Sequence, residues 1–185
     1  METTERIVEA YVRYVKGWAT IPNLKCKGQY EIDLLAIDPV MLKRYHIESG
    51  VSISGSFNAL TAKPFDPADL KVRTKIASAR RTLGYFVQRK FGITNVTDKL
   101  AEYGFTTENY HRVIVTWGWT PEVEPQAKDA GVLLWDFRDL VCDIAEKFET
   151  SSIYFTDDTL RTLNLYAHAL RSRPGRRSTQ SAPIE

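Results

Sequence analysis

The 185-residue chain is 43% hydrophobic, 26% charged and 11% aromatic, a composition that fits one globular domain and excludes a wholly disordered polypeptide. Its formal net charge of +2 is too small to identify a nucleic-acid partner, so the clustering of charges matters more than their sum.

The first predicted helix is capped by Thr3 or Thr4 and runs to about Lys16, with Ile7, Val8, Tyr11, Val12 and Val15 at helical spacing and Glu5 and Glu9 one turn apart. This N-terminal stretch lacks the apolar core of a signal peptide, and no run approaches the roughly 18 apolar residues of a membrane span. Gly17 ends the helix, and "WATIPNLKCK" follows as a short strand or extended arm. Cys26 in that arm and Cys142 lie outside any CxxC or Cys/His spacing, so they read as reduced thiols in a cytoplasmic protein rather than zinc ligands.

"QYEIDLLAID" is a strong strand whose alternation sends Tyr30, Ile32, Leu34 and Ala36 to one face and Glu31, Asp33 and Leu35 to the other. After the turn "DPVMLK", "RYHIESGVSIS" makes the return strand of a hairpin, with His46, Glu48, Gly50 and Ser52 on a common face. Loop residues then lead to Asp66-Pro67, a cap followed by a first-turn proline, and predict one long helix from Pro67 to about Phe91. It carries Lys71, Arg73, Lys75, Arg80, Arg81, Arg89 and Lys90 against the single acid Asp69.

A helix over "NVTDKLAEYGF", a buried strand in "HRVIVTWGW", a helical turn in "PEVEPQAKDAG" and a second buried strand in "VLLWDF" come next. The helix "FRDLVCDIAEKFE" presents Leu140, Val141, Ile144, Ala145 and Phe148 as its apolar stripe. A last helix from about Thr156 to Ser172 either covers the domain or pairs with a second copy in a homodimer. This order predicts an α/β (α+β) mixed sheet with helices on both faces: a core over residues 1–150, a C-terminal helix within 151–172 and an aperiodic, disordered basic tail over 173–185.

Asp33 and Glu48 fall on same-side positions of neighbouring strands, and hard cations such as magnesium take oxygen ligands of this kind. Such a pair suits metal-assisted phosphodiester hydrolysis, with Glu9 reaching in from the first helix; the plain alternative is a solvated hairpin face. Glu31 shares the parity of Asp33 and is a rival ligand. His46 shares the parity of Glu48 and is either a base or water-orienting group beside the site or a hydrogen-bonded strand-end histidine.

"GQYEIDLLAID" and "YHIESGVS", with a glutamate-bearing helix before them and a basic helix after, resemble the restriction-endonuclease-like PD-(D/E)XK nuclease superfamily. The similarity is greatest to its small Holliday-junction-resolvase-like members and covers the chain to about Phe91. The resemblance implies a magnesium- or manganese-dependent endonuclease acting on DNA, with Glu9, Asp33, Glu48 and the carbonyl of Ser49 as metal ligands. The family's lysine falls on Gly50, so Lys71 or Lys75 is expected to supply the ammonium from the helix. Lys71, Arg73, Lys75, Arg80 and Arg81 are the expected nucleic-acid contacts, since phosphate neutralisation is the common use of concentrated positive charge. The alternative reading is a nuclease-fold protein that no longer cuts and serves as a DNA-binding or protein-interaction module.

Overall fold

Helix α1 (Thr3–Ala10) begins with a capping box in which Glu2 and Glu5 reciprocally satisfy first-turn amides, and it continues through a wider π-helical turn over Tyr11–Val15. In this computed structural model the described residues are 2–55, 58–150 and 153–172. The tail expected over 173–185 lies outside them.

Five strands follow: β1 (Ala19–Lys25), β2 (Glu31–Ile37), β3 (Arg44–Gly50), β4 (Tyr110–Thr116) and β5 (Val132–Asp136), lying side by side in chain order. The first three form an antiparallel meander, while β4 runs parallel to β3 and β5 parallel to β4. The expected α/β mixed sheet with helices on both faces is therefore the architecture. Parallel neighbours require crossovers, and helices α4 (Thr94–Glu102) and α5 (Val123–Asp129) lie within those connections.

One face of the sheet presents Leu34, Ala36, Tyr45, Ile47, Val113 and Val115 to α1, α6 (Phe137–Glu149) and α7 (Asp158–Ser172). Leu160 and Ala167 of α7 are buried in this core, so the last helix covers the domain, although Leu165 and Tyr166 remain exposed. The opposite face divides into a cluster around Leu83, Phe86, Phe91 and Ile114 and another joining Ile32 and Leu35 to Val96 and Leu100 of α4. None of the helices among the described residues is long and apolar enough to cross a membrane.

Two local expectations differ from the structure. Strict alternation puts Ile32 beside Leu34, but Ile32 packs with Leu35. The β1–β2 register sets Asn23 opposite Asp33, and Asn23 has a left-handed φ of 53°, which interrupts alternation here.

The second difference is the predicted long helix from Pro67 to Phe91. It is instead a 3₁₀ turn over Pro67–Lys71, α2 (Ile76–Ala79) and α3 (Leu83–Tyr85), which continues as π-helical turns over Phe86–Phe91. The break between α2 and α3 has a backbone cause: Thr61 donates to the Arg81 carbonyl at 2.8 Å and accepts from the Leu83 amide at 3.0 Å, as a bridging strand residue would. Thr82 lies between those bonds, and its hydroxyl accepts from the Tyr85 amide, restarting the helix as an N-cap. The new segment buries Leu83, Phe86 and Phe91 against the sheet face that carries His46 and Glu48.

Candidate functional site

The β2–β3 register pairs Leu34 with Ile47 and Leu35 with His46; continued by one step, it sets Asp33 opposite Glu48. The Ser49 amide donates to Asp33 Oδ2 at 2.8 Å, while the Asp33 amide donates to Glu48 Oε1 at 3.4 Å. Each carboxylate is thus held by the other strand's backbone. Glu48 has no exposed surface, and Asp33 is 7% exposed at the foot of a cleft of about 520 Å³.

Lys90, from the last turn of the segment that follows α3, completes the group. Its Nζ lies 3.1 Å from Asp33 Oδ1 and 2.5 Å from Glu48 Oε2. The expectation that Lys71 or Lys75 supplies this ammonium therefore gives way to Lys90. Lys75 instead pairs with Asp69 at 2.8 Å, and Lys71 and Arg73 are exposed and do not line the cleft. The helix break redirects the chain, and the new segment turns a different lysine toward the sheet.

Gly50 explains why the ammonium comes from there. A Cβ at this glycine would stand 2.5 Å from Phe86 Cζ, so the ring occupies the volume where a side chain on Gly50 would begin. Phe86 precedes Lys90 by one helical turn, and residues so spaced share a face. The same face therefore closes over Gly50 with its ring and reaches the carboxylates with its lysine. Arg81 fastens the strand end below by donating to the carbonyls of Gly50 and Val51.

Burial raises Asp33 to about 7, with the neighbouring Glu48 charge adding to the effect and Lys90 opposing it. Burial likewise raises Glu48, against the lowering influence of Lys90. For Lys90 burial favours the neutral form, but the two carboxylates outweigh it and keep the ammonium above the usual lysine range. His46 is wholly buried with Nε2 2.8 Å from Glu48 Oε1, and burial lowers it to about 3. A neutral imidazole facing a carboxylate donates through Nε2–H, leaving Nδ1 as an unprotonated acceptor without a partner. His46 therefore supports Glu48 from within the protein and does not face the cleft.

Glu9 is not brought to this group. It binds Arg6 and Arg13 at 3.5 Å and accepts from Thr20 Oγ1 at 3.2 Å, beside a separate hollow lined by Tyr14 and Asp157. Glu5, one turn earlier, lines the cleft, and its carboxyl is raised by burial and by the Asp33 charge. The cleft thus has an acidic wall of Glu2 and Glu5 and a basic wall of Arg80, Arg81 and Lys90. Glu31 is held by Lys25 at 2.5 Å, outside the Asp33–Glu48 group.

Among the described residues no three His, Cys, Asp or Glu side chains are grouped so as to hold a metal ion. Magnesium, however, commonly uses one or two carboxylates and completes its shell with water and phosphate. Asp33 and Glu48 fit that smaller set: two buried cross-strand carboxylates face one ammonium, and Asp33 reaches the cleft. No protein-family model, curated protein or solved structure gives a significant match to this chain.

Proposed function

We propose that this protein is a divalent-metal-dependent nuclease of the PD-(D/E)XK type that hydrolyses phosphodiester bonds in DNA, with Lys90 in the role of the motif lysine. The observation that carries the reading is the placement of Lys90 Nζ on both Asp33 and Glu48, across a glycine whose missing side chain is replaced by Phe86. A structural ion pair needs only two partners. Here a lysine bridges cross-strand carboxylates at the foot of an open cleft, with cationic residues on one wall and glutamates on the other.

Asp33 and Glu48 would hold magnesium or manganese, which when bound polarises a phosphoryl oxygen and lowers the pKa of coordinated water. The Ser49 amide and His46 Nε2–H fix the two carboxylates, so little reorganisation accompanies binding. Lys90 keeps its charge throughout the neutral range and orients the attacking water while balancing charge that develops on phosphorus. Arg80, exposed on the same wall, binds a neighbouring phosphate. Two free thiols, Cys26 and Cys142, suit a reducing cytoplasm.

The test is nicking of supercoiled plasmid with magnesium or manganese by wild-type protein, Asp33→Asn and Lys90→Ala. Wild-type protein is expected to cut and both variants to lose at least about 100-fold in rate. Equal cleavage by Asp33→Asn would exclude the site. A second reading, a nuclease-fold DNA-binding module without cleavage, is favoured by the finding that no three metal-ligating side chains are grouped among the described residues. Calorimetry separates the two, because the nuclease binds manganese through Asp33 and the module does not.

A further inference from the structure

The cleft over Asp33 adjoins a second groove of about 400 Å³, with Arg80, Tyr85 and Lys90 lining both. That second groove runs past Arg89 to Tyr30 at the start of β2, and the Arg89 guanidinium lies over the Tyr30 ring at 5.5 Å. Tyr30 and Tyr85 are both half-buried, so each ring is held by the fold and retains some solvent-facing surface. Tyr85 is further braced by the edge of Phe65 at 5.5 Å. Three cations, Arg80, Arg89 and Lys90, line these grooves together with two fixed aromatic rings, and Glu31, the carboxylate at the second groove's edge, is paired with Lys25. This combination is what one unpaired nucleic-acid strand requires, since phosphates meet positive charge while bases find π-faces. A duplex offers phosphates on its outside but no free base face.

We infer that the adjoining grooves bind a single nucleic-acid strand, with phosphates on Arg80 and Arg89 and a base on the Tyr30 or Tyr85 ring, leading the scissile phosphate to Lys90. The site is thereby assigned to unpaired segments such as flaps, overhangs or single strands, not to continuous duplex. This inference rests on the nuclease reading only for the direction of the strand toward Lys90; the binding itself needs no metal.

The test is fluorescence anisotropy with labelled oligothymidylate of about 12 nucleotides, the matching oligouridylate, and a duplex of equal length, all with chelator present so that cleavage does not enter. Wild-type protein is expected to bind one or both single strands about tenfold more tightly than the duplex. Tyr30→Leu is expected to weaken that binding about tenfold, with Tyr30→Phe restoring it, since stacking needs the ring and not the hydroxyl. The exposed Arg80→Ala supplies a variant independent of the Tyr30 packing, and Arg89→Ala removes the cation that lies over the Tyr30 ring; each is expected to reduce the salt slope by about 0.7. The two oligomers sort the sugar, and preference for either over duplex supports the inference. Duplex binding equal to or tighter than single-strand binding overturns it, as does unchanged affinity in Arg89→Ala and Arg80→Ala. The nuclease reading is decided separately, by manganese binding to wild-type protein and its loss in Asp33→Asn.

Discussion

Replacing Lys90 by methionine keeps most of the side-chain volume and removes the charge that Asp33 and Glu48 share. Taking one partner from a buried ionic group costs about 3–5 kcal/mol when the rest stays charged, and less when protonation relieves it. Asp33 already titrates near 7 with Lys90 present, so the relief depends on pH. At about pH 5.5 Asp33 is protonated in both proteins, so the variant leaves at most one carboxylate without its cation; the expected loss is no more than about 2 kcal/mol. At about pH 8.5 wild-type Asp33 is ionised, whereas the variant must either carry two uncompensated carboxylates or hold a proton, and the expected loss rises to about 4 kcal/mol. The sign follows from the direction of each shift. A folded carboxyl raised above its unfolded value loses stability as pH climbs through the interval between them, and a raised lysine retains its contribution until well into alkali. Urea unfolding at both pH values, with and without manganese, is the assay. Manganese should recover part of the loss in the variant by replacing the missing cation. Parallel losses at the two pH values would refute the charge argument and leave only packing at this position.

Gly50→Ala is expected to destabilise by about 1–3 kcal/mol in thermal unfolding, because the new methyl meets Phe86 Cζ, and adding it to a Phe86→Leu chain should cost less than adding it to wild-type protein. His46, lowered to about 3 by burial, should remain neutral down to about pH 4 in nitrogen-detected NMR; a midpoint near its ordinary value of about 6.5 would remove it from the Glu48 support. Removing the helix cap with Thr82→Ala should cost about 1 kcal/mol, measured by denaturant unfolding, and reduce cleavage by loosening the segment that carries Lys90.

The strand half of the site is open to sequence reading and the helix half is not, for a physical reason. Period-two alternation is a local property, so His46 and Glu48 on one face of β3, and Asp33 across from Glu48, follow from spacing once the hairpin is accepted. Alternation weakens only where Asn23 adopts a left-handed backbone, a choice made by two strands together and not legible in β2 alone. The basic segment depends on tertiary contacts: proline and aspartate mark its start correctly, but the first turn ends at the extended Val72 and the bridge from Thr61 across Arg81 to Leu83 separates α2 from α3. One signal could have pointed to Lys90: Phe86 and Lys90 are the aromatic and basic pair one turn apart in "FVQRKF", followed by the buried Phe91. Glu5 and Glu9 share a helical stripe, so periodicity does not separate them. The side-chain partners do: Arg6, Arg13 and Thr20 occupy Glu9 and leave Glu5 at the cleft.

The relation between Gly50 and Lys90 also constrains which substitutions can move the ammonium onto the strand. A lysine placed at Gly50 begins inside the Phe86 ring, and truncating Phe86 to make room opens the hydrophobic cluster that also holds Leu83, Phe91 and Ile114. Aromatic truncation in such a core typically costs about 3–5 kcal/mol. Moving the lysine back to the strand therefore requires at least three coordinated changes: lysine at Gly50, a smaller residue at Phe86, and an uncharged residue at Lys90 so that two ammoniums do not face one carboxylate pair. The triple variant Gly50→Lys/Phe86→Ala/Lys90→Met should bind manganese more tightly than Gly50→Lys alone if the carboxylates, rather than the origin of the ammonium, define the site. Weaker manganese binding by the triple variant, in a protein that circular dichroism shows to be folded, would mean that Phe86 and Lys90 hold the carboxylate geometry as well as its charge.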